Sequence, residues 1–233
     1  MITHHPKFEL IHSFVKGDLP ASISAGIAMH AELCPQCQHQ IAQLTDQMAE
    51  ASFEESSTSD VTALCSDSQD ATTEGYFASL NADDMIASIT QSDDLFEAKP
   101  QPQQTVTLSD QSYVLPKALN SMEVGKSASI GRLSRARIHL DENEIRTSLL
   151  QMQPGGSVPE HTHKGFELTL LLDGSFSDEK GKYVKGDFIV LDRSHQHHPV
   201  SEEGCLCYTV VNDALHFTQG INKLLNPIGS LIY

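Results

Sequence analysis

The chain has 233 residues, carries 15 Lys and Arg against 31 Asp and Glu for a formal charge of −16, and is 39 % hydrophobic. Its length allows one large domain or two small ones, and no apolar run approaches the roughly 20 residues that span a bilayer. Five cysteines, an odd number, argue against a disulfide framework and for a reducing compartment; with no basic-then-apolar order at the N-terminus, the expected location is cytoplasmic.

The charge is unevenly placed. Residues 1–110 hold 17 acidic and 3 basic side chains, whereas residues 111–233 hold 14 and 12. A nucleic-acid binder needs cations to displace phosphate counterions, so the acidic half is not expected to bind nucleic acid directly. Such a surface suits a positively charged protein partner, although charge alone serves solubility equally well.

Along the chain, Phe8, Ile11, Phe14 and Val15 recur at helical spacing, and Gly17-Asp18-Leu19-Pro20 breaks that helix. A second helix spans about Ser22 to Glu32, with Ile23, Ile27 and His30 on one stripe. Pro35 sits where a third helix can start, at a position that tolerates a missing N–H, and Cys37, Ile41, Leu44 and Met48 continue its stripe. Three short helices give a thin core, and such a core usually needs a staple. Residues 52–74, of which 17 are Ser, Thr, Asp, Glu or Gln, are expected as a mobile acidic insert. Leu80, Met85, Ile86 and Ile89 mark a fourth helix, followed by a Pro- and Gln-rich linker over 98–110.

Beyond residue 111 the pattern changes to short strands at Ile145–Gln153, Glu167–Leu172, Tyr183–Lys185, Asp187–Leu191 and Cys205–Val211, separated by glycine turns. This spacing indicates an antiparallel sandwich or barrel. The expected fold is therefore two-domain α plus β: a small helical bundle over 1–97 and an antiparallel β-barrel over 111–226.

Two constellations carry metal chemistry. His30-x₃-Cys34-x₂-Cys37 joins the second and third helices, and the His4-His5 pair can supply a fourth ligand if the arm folds back. Tetrahedral zinc accepts such N and S donors, and four protein ligands make a closed, structural site. The alternatives are buried apolar cysteines or a redox pair, but the βαβ context of a thioredoxin-like motif is missing. In the second half, His161, His163 and Glu167 share strand parity and so face one side, and His197 can close the shell from a neighbouring strand. Three imidazoles and a carboxylate suit zinc, iron, manganese or nickel.

Gly155 to His163 and Gly186 to His197 resemble the two motifs of the cupin barrel, with Asp192 and Ser194 where the second motif usually has Pro and Gly. The whole chain resembles a ChrR-type zinc anti-sigma factor. That resemblance rests on His30-x₃-Cys34-x₂-Cys37, the upstream histidine that falls on His5, the run Leu168–Gly181, and Cys205-x-Cys207. It implies a zinc anti-sigma domain held by His5, His30, Cys34 and Cys37, followed by a cupin (double-stranded β-helix) with a divalent metal on His161, His163, Glu167 and His197. It further implies a one-to-one complex with an extracytoplasmic-function (ECF) sigma factor, released on an oxidative signal such as singlet oxygen. Sigma factors bind DNA and carry basic surfaces, so the acidic N-terminal half fits this partner. The sequence leaves two states for the free protein, a monomer or a cupin-mediated dimer. The competing reading is a cupin metalloenzyme, a dioxygenase or isomerase, with the zinc module as accessory. Cys205 and Cys207 are expected as core residues, and Cys65 as an exposed thiol in the acidic insert.

Overall fold

The computed structural model describes residues 1–56, 82–91, 102–163, 165–212 and 215–217. Cys65, Leu80, most of the acidic stretch and the first part of the expected linker lie outside the described residues. Helix α1 covers Phe8–Lys16, α2 Ala21–Leu33, α3 Pro35–Ser56 and α4 Ala82–Thr90. α1 ends at Gly17, whose left-handed φ of +76° lets its N–H reach the Phe14 carbonyl. Cys34 separates α2 from α3 in an extended conformation, and α3 opens on Pro35. α3 runs on to Ser56, so the first residues of the acidic stretch are helical.

Among the described residues fourteen strands follow: β1 Thr105–Leu108, β2 Gln111–Val114, β3 Glu123–Ile130, β4 Leu133–His139, β5 Arg146–Met152, β6 Gly156–Ser157, β7 His161–His163, β8 Phe166–Asp178, β9 Gly181–Val184, β10 Phe188–Asp192, β11 Gln196–His197, β12 Val200–Ser201, β13 Cys205–Val211 and β14 Leu215–Phe217. The largest sheet runs β3-β4-β5-β13-β8-β12-β6, with β9 and β10 also paired to β8, and β11-β7-β14 form a second sheet. Every pairing is antiparallel. The result is N-terminal helices followed by a curled antiparallel cupin sheet.

Side chains alternate across the large sheet, and each face builds its own core. One face (Leu150, Met152, Leu171, Cys205 and Cys207) joins Val158, Phe176 and Tyr183. The other face (Ala136, Leu149, Leu168, Leu170, Tyr208 and Val210) packs against Ala25, Ile27 and Met29 of α2. The helices therefore find their main core partner in the sheet as well as in one another. Met1–Thr45 clusters with the described residues from Pro102 onward in one compact unit, and the described part of Asp46–Gln101 belongs to a second. Within that second unit, α4 exposes Met85, Ile86 and Ile89.

Contact between α2 and the sheet depends on Gly26. A Cβ there would stand 3.3 Å from Leu168 Cδ2 and 3.5 Å from Tyr208 Cε1. The Tyr208 hydroxyl donates to the Ser22 carbonyl at 2.8 Å on the same helix. Gly26→Leu should overpack this contact and destabilise the chain by about 1–3 kcal/mol. Thermal unfolding of the full chain checks this, and an unchanged midpoint would mean that α2 does not rest on the sheet.

Candidate metal centres

The first cluster forms where the N-terminal arm crosses the α2–α3 junction. His30 lies in the last turn of α2, Cys34 at the break, and Cys37 in the first turn of α3, so three donors fall on one short segment. His5 arrives from the arm. His5 Nδ1 lies 3.4 Å from His30 Nε2, 3.4 Å from Cys34 Sγ and 3.5 Å from Cys37 Sγ, and His30 Nε2 is 3.3 Å from Cys37 Sγ. A tetrahedral zinc with bonds of about 2.0–2.3 Å separates its ligands by roughly 3.3–3.8 Å, so the four donors fit that shell. His30, Cys34 and Cys37 are buried and His5 is half-buried. Burial, then the neighbouring Cys34, pushes the Cys37 thiol up to about 12. In the absence of metal that thiol holds its proton, and binding a cation must displace it.

The arm reaches this position through the β9–β10 turn. Asp187 is fully buried, and its Oδ1 accepts from the Thr3 and His4 N–H groups at 2.7 and 2.9 Å. Its Oδ2 accepts from Val184 N–H at 2.9 Å, while Phe188 N–H donates to the His4 carbonyl at 3.0 Å. Burial pushes the Asp187 carboxyl up, but the backbone donors outweigh it and hold it below its ordinary value. One residue earlier, the Gly186 carbonyl lies 2.7 Å from His30 Nδ1. Accepting that ring N–H fixes the tautomer in which Nε2 faces the cluster. Burial, opposed by this carbonyl, keeps His30 below its ordinary pKa and hence neutral. His4, the alternative fourth ligand, instead sets its ring against Tyr183 at 4.9 Å; the structure brings His5 to the cluster.

The second cluster joins strands of the two cupin sheets. His161 and His163 come from β7 and His197 from β11, directly paired through His197 and His161. Glu167 comes from β8, so the parity shared by residues 161, 163 and 167 spans two strands rather than one. His161 Nε2 and His197 Nε2 are 2.9 Å apart, His163 Nε2 and His197 Nε2 3.4 Å, and His163 Nε2 lies 2.7 Å from Glu167 Oε2. All four groups are buried. Their outer atoms are held in turn: His161 Nδ1 by the Pro159 carbonyl at 2.7 Å, Glu167 Oε1 by the Thr169 hydroxyl at 2.7 Å, and His197 Nδ1 faces Asp178 at 3.5 Å. These partners turn the Nε2 atoms inward, as metal-binding imidazoles require. Burial lowers His161 to about 3. Burial raises Glu167, but the His163, His197 and His161 imidazoles outweigh it and bring the carboxyl down to about 2. A neutral imidazole and an ionised carboxylate are the protonation states that bind a divalent metal. Four protein donors leave room for further ligands on a six-coordinate ion.

Residues 127–214 match the family described as the ChrR cupin-like domain. The anti-sigma-E factor ChrR of Cereibacter sphaeroides is 28 % identical over 228 residues, 97 % of each chain. This chain is similar to ChrR over nearly its whole length. The crystal structure of Rhodobacter sphaeroides SigE in complex with the anti-sigma ChrR shares the fold with a TM-score of 0.61 at 24 % identity, covering 91 % of this chain and 99 % of that one. The likeness to ChrR thus spans the N-terminal helices as well as the cupin sheet.

Three groups that orient the clusters, Asp187, Asp178 and Thr169, went unread in the sequence. Gly186-Asp187 reads there as a strand turn that opens the second cupin-like motif, and nothing local marks its aspartate as the anchor of residues 3 and 4. Asp187→Asn keeps the size but removes the acceptor that serves Val184 and the charge that serves the arm, a loss of about 1.5–3 kcal/mol. Amide hydrogen exchange over residues 1–6 should accelerate more than tenfold while β5, β8 and β13 keep their protection. Unchanged exchange in the arm would remove the anchoring role.

Proposed function

We propose that this chain is an anti-sigma factor that sequesters an ECF sigma factor in a one-to-one complex in the cytoplasm. His5, His30, Cys34 and Cys37 hold a structural zinc that stiffens the α1–α3 surface, while His161, His163, Glu167 and His197 hold a divalent metal, zinc or another first-row ion, in the cupin. An oxidative signal, singlet oxygen or a related species, acts through the cupin to release sigma. The chain is a regulator, not an enzyme, in this reading. No described helix is long and apolar enough to cross a membrane.

The observation that carries this reading is the convergence of a two-sulfur, two-imidazole cluster in a chain similar to ChrR over 97 % of its length. The acidic N-terminal half supports it, because 17 acidic against 3 basic side chains in residues 1–110 match a basic, DNA-binding partner. The zinc assignment follows from donor chemistry: thiolates select soft or borderline ions, and four protein ligands leave no open position for catalysis.

The test is co-purification of the full chain with an ECF sigma factor from the same genome. The wild type should elute as a one-to-one complex. Cys37→Ser should lose the N-terminal zinc and weaken the complex by roughly a hundredfold or more, whereas His163→Ala should retain the complex and lose only the cupin metal and the response to oxidant. A Cys37→Ser chain that keeps both zinc and sigma would refute the first site. Loss of sigma from His163→Ala would refute the separation of the two roles.

A further inference from the structure

The outer partners of the cupin cluster are not alike. His161 Nδ1 meets the Pro159 carbonyl and Glu167 Oε1 meets the Thr169 hydroxyl, each at 2.7 Å. His197 Nδ1 instead stands 3.5 Å from Asp178 Oδ2, longer than an ordinary N–H···O bond, and both side chains are buried. Asp178 ends β8, and its Oδ1 accepts the Lys180 N–H at 2.8 Å. The Tyr183 hydroxyl on β9 donates to the same carboxylate. Burial, then Asp178, pushes that phenol up to about 12, so it keeps the proton it donates.

Tyr183 also touches the arm that serves the other cluster. Its ring centroid lies 4.9 Å from that of His4 and 4.9 Å from that of Phe176. The N–H groups of His4 and of Val184, the residue after Tyr183, are held by one carboxylate, Asp187. His5, a donor of the first cluster, is the next residue of the arm. A series of contacts through His197, Asp178, Tyr183 and His4 therefore connects the two clusters, beside the β8–β10 strand pairing. Coordination through Nε2 leaves the His197 proton on Nδ1, aimed at Asp178. A charge-assisted N–H···O⁻ bond is about 2.7–2.9 Å long, shorter than the gap at this joint. Closing the gap tightens a carboxylate that Tyr183 already holds.

We propose that Asp178 and Tyr183 are positioning residues that couple the two metal clusters: with the cupin cluster loaded, His197 closes on Asp178, Asp178 holds Tyr183, and Tyr183 steadies the arm that presents His5. The coupling is reciprocal, so an arm seated on the first cluster also favours metal in the cupin. This inference rests on the proposed metal occupancy of both clusters and not on the sigma factor.

The experiment measures amide hydrogen exchange over residues 1–6 of the full chain at saturating zinc, with zinc content determined on the same samples. Wild type, Tyr183→Phe and Asp178→Asn are each compared with the same chain carrying His163→Ala, which empties the cupin cluster alone. In the wild-type background, the loaded cupin should slow exchange in the arm by about fivefold or more. Tyr183→Phe keeps the ring against His4 and Phe176 and should bind two zinc ions per chain, yet its arm should respond to the cupin metal by less than about twofold. A tyrosine that only packs would loosen the arm equally with the cupin loaded or empty, leaving the response intact. Asp178→Asn, which removes the shared charge, should lose the response as well and bind cupin zinc about tenfold more weakly. Two results would overturn the coupling alone: a loaded wild type whose arm exchanges as fast as that of His163→Ala, or a full response that survives in both variants, in either case with two zinc ions bound and the sigma factor still co-purifying. A wild type that binds fewer than two zinc ions per chain would overturn the coupling together with the metal-site reading.

Discussion

One buried carboxylate joins the two halves of the first unit. Asp187 collects the N–H groups of Thr3, His4 and Val184, and the adjacent Gly186 carbonyl accepts from His30. The same turn of the cupin therefore positions two of the four N-terminal donors, His5 through the arm and His30 through its ring. Charge-assisted bonds to backbone N–H are among the stronger polar interactions in a protein, and here the carboxylate that accepts them is fully buried. Gly186 is required at this point, since its φ is +94° and a Cβ would collide with the Ile2 side chain that lies over it. A cluster that looks local in sequence is thus completed by a turn more than 150 residues away.

That arrangement gives the proposed regulation a physical route. A change at the cupin need not travel through a chain of side chains to reach the helices, because β10 follows the turn that holds the arm and itself pairs with β8, the strand of Glu167. Whatever alters the packing of β8 and β10 bears on the anchor of His5. Two elements sharing one strand pair is a contiguous physical connection, although coupling between them is an energetic quantity in its own right.

Much of this was legible in the chain itself. The Gly17 stop and the Pro35 start delimit α1 and α3, and the short apolar runs between glycine turns mark β5, β8 and β13, because those signals are local. The His/Cys and His/Glu donors were visible by residue type and spacing. Less visible was what surrounds them. α2 reads as weakly amphipathic, with Ser22, Ala25 and Gly26 on what looks like a neutral face; only contact with Leu168 and Tyr208 explains why those small residues are there. β3 and β4 were hidden because Gly125, Lys126, Ser127, Arg135 and Arg137 do not look like strand interior. The choice of His5 over His4 is a question of tertiary contact, decided by Tyr183 and Asp187, and the orienting roles of Asp178 and Thr169 likewise exist only once the strands are assembled.

The central claim is that two sulfurs and two imidazoles enclose a zinc at the α2–α3 junction. Zinc-edge X-ray absorption on the full His163→Ala chain isolates that centre from the cupin site. The account predicts a shell of two sulfurs at about 2.3 Å and two nitrogens at about 2.0 Å. A shell of nitrogen and oxygen alone, in a chain that still binds its sigma factor, would contradict it.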